Sequence, residues 1–183
     1  MPAPASPPPT PDDARMRRLR LLVVATGLSA VLAAPTVALA ARRAVKGGHG
    51  ALQRAVVRRI NAARARHRLP PVRLQRRLAR AASAQSADQL RGGRLSHDSA
   101  DGTPFGRRVR RYSSARWTGE TIAWLTAGQP ITATTIVRAW MASPPHRHLL
   151  MDRRFRRIGV GACSGRVGGH ATTVVTADFA SGR

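Results

Sequence analysis

The chain has 183 residues, 43% of them hydrophobic, which suits one domain with appendages. Lysine and arginine number 32 against 8 acidic residues, a net charge of +24, and Lys46 is the only lysine. That balance speaks either of anionic partners or of a GC-rich coding bias toward arginine, and carries no information on fold. Aromatic residues at 4%, with no RRM, OB or zinc-finger pattern, argue against a nucleic-acid-binding module. Cys163 is the only cysteine, so an intrachain disulfide is excluded and stability must come from packing; a buried strand position is expected for it.

Residues 1–14 are Pro/Ala-rich without hydrophobic period and are expected as coil. Arg15, Arg17, Arg18 and Arg20 then precede an apolar run from Leu21 to Ala34, followed by Pro35 and the small-residue triplet Ala38-Leu39-Ala40. This is the order of a secretory signal peptide with an A-x-A cleavage site. Initiation at Met16 would leave a 25-residue leader. The alternative is an uncleaved membrane anchor over residues 21–41, long enough to cross ~30 Å of hydrocarbon as a helix. Either way the domain is expected outside the cytoplasm, touching membrane only through this segment. Residues 41–183 keep a charge of +22.

Residues 41–50 read as a short Gly-containing linker, and residues 51–183 as the domain proper. Leu52, Val56, Ile60 and Ala63 recur at helical spacing until Leu69-Pro70-Pro71 stops the helix. A second helix is predicted over about Gln75 to Arg91, with Leu78, Ala81, Ala82 and Leu90 on its apolar face and Gly92-Gly93 available for a left-handed cap. After the polar loop Ser96 to Gly102, Thr103-Pro104 resembles an N-cap and first helical residue, opening a short helix through Arg111. A helix over Thr132 to Ala142 carries Ile136, Val137, Trp140 and Met141, and Ser143-Pro144-Pro145 breaks it. The period then changes to two. Ile158, Val160 and Ala162 alternate with small residues, and Thr173, Val175, Ala177 and Phe179 do the same beyond a Ser/Gly-rich connection. With a further strand near Arg116 to Ile122, the expected class is α+β, with helices covering a small antiparallel sheet.

Five blocks then carry a resemblance in order: Leu95-Ser96-His97; Gly119-Glu120-Thr121-Ile122-Ala123; Trp140 to Arg147; Ile158-Gly159-Val160-Gly161-Ala162; and Thr176-Ala177-Asp178-Phe179. Over roughly Ala51 to Ala180 they resemble the compact bacterial type of the CAP superfamily (SCP/PR-1/CAP domain). The resemblance implies an α-β-α sandwich whose central cleft holds two histidines and one or two acidic residues. By position these are His97, Glu120 and His146, and Glu120 is the only glutamate in the chain. Two departures reduce the polarity of the site. Thr121 stands where the family usually has asparagine, and Leu149 where an asparagine is common after His-Arg. The second glutamate of larger members also has no counterpart among Met141, Ala142 and Ser143, leaving Asp152 or Asp178 as spatial substitutes.

Two neutral imidazoles and a carboxylate with an open fourth position are a ligand set by which zinc activates water. The resemblance likewise implies reversible binding of a divalent metal, zinc or calcium, in some members, with His97 and His146 as ligands beside Glu120. The same trio without metal is a polar cluster whose carboxylate satisfies imidazole donors that would otherwise cost about 1–3 kcal/mol unpaired. His148, two residues beyond His146, falls on another helical face and is expected at the surface. His49, His67 and His170 are expected to be solvated. Trp117 and Trp140 are expected in core or cleft wall. No sequence-local ligand or nucleophile motif assigns a catalytic residue.

The favoured expectation is an exported, monomeric binding module at the bacterial cell envelope or outside the cell, with anionic envelope polymers or lipids as partners and no nucleic acid. The alternative is a metal-dependent, protease-like hydrolase using the same cleft. An apolar lipid-carrying groove is a third class that the sequence does not locate.

Overall fold

The computed structural model describes residues 36–182. The expectations for residues 1–35, including the coil, the arginine cluster and most of the leader or anchor, lie outside the described residues. No helix among the described residues is long and apolar enough to cross a membrane.

Helix α1 spans Thr36–Arg66 and begins well before the hydrophobic period does. Residues 41–50, expected as a linker, and the triplet Ala38 to Ala40 are part of it. Alanines at 38, 40, 41 and 44 favour helix. Gly47 and Gly48 each cost about 1 kcal/mol there without breaking it. Val56 and Ile60 are buried as the spacing required, Leu52 and Ala63 only partly, and the face adds Val57 and Arg64, the latter fully buried. Its guanidinium donates to the carbonyls of Pro70 at 2.9 Å, Leu150 at 2.7 Å, Asp152 at 3.1 Å and Phe155 at 3.1 Å. One side chain thereby ties the end of α1 to three other segments, and burial lowers its pKa, with the charge of Arg156 adding to the effect.

Strand β1 (Arg73–Leu74) leads into helix α2 (Arg76–Gly92), which ends on Gly93 at φ 59°. The short helix α3 covers Phe105–Arg110, one residue later than expected, with Pro104 in extended conformation as its cap. Strand β2 (Thr118–Thr126) is longer than foreseen. Helix α4 (Ala133–Ala142) is capped by Thr132, whose side chain accepts from the Thr135 N–H. The Ser-Pro-Pro break is real, but a new helix, α5 (Pro144–Met151), starts on those prolines, which need no intrahelical acceptor in the first turn. Strands β3 (Phe155–Val167) and β4 (His170–Ser181) close the fold. They meet in a two-residue turn, Gly168-Gly169, both with positive φ, so the strands run further than the Ser/Gly-rich connection suggested.

The sheet order is β1-β3-β4-β2. β3–β4 and β2–β4 are antiparallel as expected, whereas β1 pairs with β3 in parallel, making the sheet mixed. A two-residue strand shows no alternation in sequence and so gives no periodic signal. Side chains alternate across the pleat. Ile158, Val160, Ala162, Val175, Ala177 and Phe179 join Val56, Ile60, Ile136, Trp140 and Leu150 in the main core. The other face meets α2 and α3, where Leu78, Val109 and Ala180 form a smaller cluster. The expected α-β-α layering is therefore present. Cys163 lies in β3, unpaired and only half-buried.

Gly159 and Gly161 explain how α2 seats on the sheet. A Cβ at Gly159 would lie 2.0 Å from the Leu78 carbonyl carbon, and one at Gly161 would lie 2.1 Å from the Ser83 nitrogen. The helix backbone rests directly on the strand. Buried Ser86 fixes the contact by bonding Thr176 Oγ1 at 2.9 Å.

Candidate functional site

Strand β2 is an edge of the sheet, so segments from both faces can converge there. On the α2 face Glu120 stands opposite Asp178 of β4 in the cross-strand register. His97 arrives from the loop after α2, pinned by two glutamines buried on that helix. Gln85 Nε2 donates to the Ser96 carbonyl at 2.9 Å, and Gln89 Oε1 accepts from the Ser96 N–H at 2.5 Å. Asp88 adds a third anchor, accepting from the Ala100 N–H at 2.5 Å. The loop is polar in sequence because its carbonyls and N–H groups are bound by side chains of the helix beneath it.

His97 Nδ1 and Glu120 Oε1 are 2.8 Å apart. The imidazole is 58% exposed, while the carboxylate is 1% exposed. The second Glu120 oxygen accepts from Nη2 of Arg108, a buried arginine of α3. Nη1 of the same guanidinium reaches Asp178 Oδ2 at 3.4 Å. A row results: surface imidazole, buried carboxylate, buried guanidinium, buried carboxyl.

These contacts move the titrations in opposite directions. The hydrogen bond to Glu120 raises the His97 pKa, although partial burial opposes it. Burial lowers the pKa of His146 on α5, and the charge of His97 adds to the effect. Asp178 is pushed well above the ordinary carboxylate range, first by burial and then by the facing Glu120, with Arg108 offsetting part of it. A proton on Asp178 removes one of the two like charges that would face each other across the β2–β4 register.

Of the three residues expected in the cleft, His97 and Glu120 are thus bonded. His146 is half-buried, hydrogen-bonds to neither, and is near enough for its titration to feel His97. Asp178 supplies the second carboxyl. Asp152 does not; it follows α5 and holds Arg154 through Nε at 2.9 Å. His148 is exposed as expected, as are His67 and His170. Trp140 is core at 2% exposure, but Trp117 is 45% exposed, with the guanidiniums of Arg116 and Arg154 over its ring at 5.6 and 4.6 Å. Both family departures fall on the opposite face from Glu120. Thr121 points there by alternation, and Leu149 fills the space that Gly119 leaves open, 2.7 Å from where a Cβ would stand.

The expected three-ligand metal arrangement is not formed. Among the described residues no group of three His, Cys, Asp or Glu side chains could hold a metal ion. Arg108 weighs against Glu120 as a ligand. Both Glu120 oxygens are engaged, one by His97 and one by a fixed cation, and a divalent ion would have to displace the first and sit near the second. Arg108 is the site residue that the sequence did not single out. A lone buried glutamate needs a cationic partner, but nothing distinguishes Arg108 from its neighbours Arg107, Arg110 and Arg111 until the short helix is oriented.

Comparison with known proteins agrees with this architecture. The family model described as the cysteine-rich secretory protein family, CAP, matches residues 57–179. The uncharacterized protein YkwD of Bacillus subtilis is 34% identical over 112 residues, covering 61% of this chain and 42% of YkwD. The chain thus spans less than half the length of that relative. An extracellular SCP-domain protein from Bacillus anthracis superposes with a TM-score of 0.62 at 24% identity, covering 73% of this chain and 41% of that one. An outer surface protein from Borrelia burgdorferi superposes with a TM-score of 0.56 at 20% identity, covering 69% of this chain and 90% of that one. At these identities the structures speak for the fold alone. The family match, over two thirds of the chain and spanning His97, Glu120, His146 and Asp178, establishes that this protein belongs to the CAP family.

Proposed function

We propose that the protein is an extracytoplasmic CAP-domain module that works by binding, at the cell envelope or outside the cell, with anionic polymers or headgroups as partners. The observation that carries this is the commitment of the cleft. The buried Glu120 carboxyl is engaged on both oxygens, by His97 and by Arg108, and contacts no nucleophile, while the arginine-rich surface is almost uncompensated. The signal-peptide order of residues 15–40 supports export. So does the likeness to an extracellular protein and to an outer surface protein. The experiment is co-sedimentation of the protein with purified bacterial envelopes at about 0.05 M and about 0.5 M NaCl. Binding at the lower salt and release at the higher is expected; no sedimentation at either concentration rejects the proposal.

One observation favours a second reading. His97 and His146 are displaced in opposite directions, so at a given pH the first is more often protonated and the second more often neutral than a free imidazole, the arrangement acid–base chemistry uses. This would be hydrolysis without metal. Turnover of a peptide library that disappears in His97→Ala and survives chelation would establish it in place of the binding function.

A further inference from the structure

Charge on this domain is not spread evenly. Asp88, Asp98 and Asp101 cluster at the end of α2 and the loop after it, Glu120 and Asp178 are buried with Arg108, and Asp152 is held by Arg154. At the start of α2, two adjoining depressions share Gln75 and Arg157 and together are lined by Arg73, Arg76, Arg77, Arg156 and Arg157, and no carboxylate side chain of the described residues lines either. The fold assembles them. Arg73 of β1 stands beside Arg157 of β3 in parallel register, and Arg76 and Arg77 open α2 immediately after. Arg156 and Arg157 donate to main-chain carbonyls, those of Phe155 and Ser181, which orients them without neutralising them. Arg73, Arg76 and Arg77 are exposed and make no side-chain hydrogen bond among the described residues.

We infer that this arginine groove binds a linear phosphodiester polymer that carries no bases, such as a polyol-phosphate chain. The inference rests on the envelope-binding function and names its site and ligand class. A planar guanidinium matches a phosphate oxygen pair in a fork, which favours phosphate over a diffuse negative charge. Two joined depressions admit successive phosphates of a chain. A membrane surface fits less well, because the groove is concave and none of the exposed large apolar side chains, Leu74, Leu95, Trp117 and Ile131, lines it. Nucleic acid fits less well because Tyr112 is the single aromatic ring in the lining, against the series of stacking platforms that bound bases use.

The test measures binding of the full chain to purified poly(glycerol phosphate) over a salt series, with poly(dT) and polyglutamate as comparison polyanions. Two triple variants remove equal charge: Arg73→Gln/Arg76→Gln/Arg77→Gln in the groove, and Arg54→Gln/Arg58→Gln/Arg59→Gln on the exposed side of α1. The groove variant is expected to weaken poly(glycerol phosphate) binding at least about tenfold near 0.1 M salt and to flatten the log–log salt slope by about 2, as loss of three phosphate contacts requires. The α1 variant should change affinity less than about threefold, since it removes only long-range, screened charge. Cooperative melting of each variant confirms that it folds. Equal weakening by the two variants, or binding of poly(dT) or polyglutamate as tight as that of poly(glycerol phosphate), overturns the assignment. Envelope binding by the wild type without poly(glycerol phosphate) binding overturns the groove and leaves the envelope function standing. Poly(glycerol phosphate) binding at the groove without envelope binding does the reverse.

Discussion

Arg108 stands between two carboxyl groups that β2 and β4 would otherwise set face to face with nothing to separate their charge. Its removal should therefore cost far more than the loss of one hydrogen bond. Arg108→Met leaves Glu120 buried in the sheet with only the exposed His97 as partner, and a broken buried pair of this kind costs about 3–5 kcal/mol. Asp178→Asn is the opposite case. The Asp178 pKa is raised, so the folded state keeps a proton that the unfolded chain releases above pH ~4. Stability from this group is present below that pH and declines as pH rises toward the folded pKa, because the native state binds more protons than the unfolded one. A neutral amide removes that decline. Urea unfolding should show Asp178→Asn within about 1 kcal/mol of wild type near pH ~4 and more stable than wild type at pH ~7, with a flatter pH dependence between the two; a cost at pH ~7 equal to that of Arg108→Met would mean that Asp178 is ionised in the fold. At this scale the sequence was partly legible. Glu120 stood out as the only glutamate in the chain, and family blocks carried both it and His97. Arg108 did not, because one arginine among many acquires its meaning only from the orientation of a six-residue helix.

Glycine does for the elements what Arg108 does for the site. The alternation Ile158-Gly159-Val160-Gly161 announces a strand with one apolar and one bare face, and the bare face is where the α2 backbone lies. Gly161→Ala would drive a methyl group into backbone that cannot rotate away, so a loss of at least about 3 kcal/mol, or failure to fold, is expected. Gly165→Ala, on the same strand, would meet only Leu90 Cδ2 at 2.9 Å, a side-chain end that can turn aside. It should cost under about 1 kcal/mol in the same denaturation assay. Equal losses from the two substitutions would show that strand conformation, and not helix seating, sets the requirement. Elements with a long period were readable from the chain alone, as α2, α4 and the β3–β4 hairpin illustrate. Those without one were not. β1 has two residues, α5 hides behind two prolines that also read as a stop, and the early turns of α1 carry alanine in place of an amphipathic stripe.

For the whole molecule, the six acidic residues of segment 41–183 are taken up by caps, loop anchors and the buried row, leaving a charge of +22 to repel itself. Few exposed ion pairs are available for salt to weaken. Asp88–Arg91 and Asp152–Arg154 are the arginine–carboxylate pairs with exposed partners among the described residues, and such pairs contribute at most about 1 kcal/mol each. Long-range repulsion should therefore dominate the response to ionic strength. Raising NaCl from about 0.01 M to about 0.15 M shortens the Debye length from ~30 Å to ~8 Å, below the width of the domain, and removes most repulsion between opposite faces. The melting temperature should rise by about 5 °C or more, the size expected when a domain of this length gains a little over 1 kcal/mol. Chloride is the right anion for this measurement, since phosphate would also occupy the arginine groove and add a binding contribution. Arg73→Gln/Arg76→Gln/Arg77→Gln should start from a higher melting temperature at low salt and gain less on salt addition, because three of the crowded charges are gone. A melting temperature that is flat or falls with salt would mean that the buried Glu120–Arg108 row and the two surface pairs outweigh the repulsion, and that the basic surface exacts no stability in exchange for its reach toward anions.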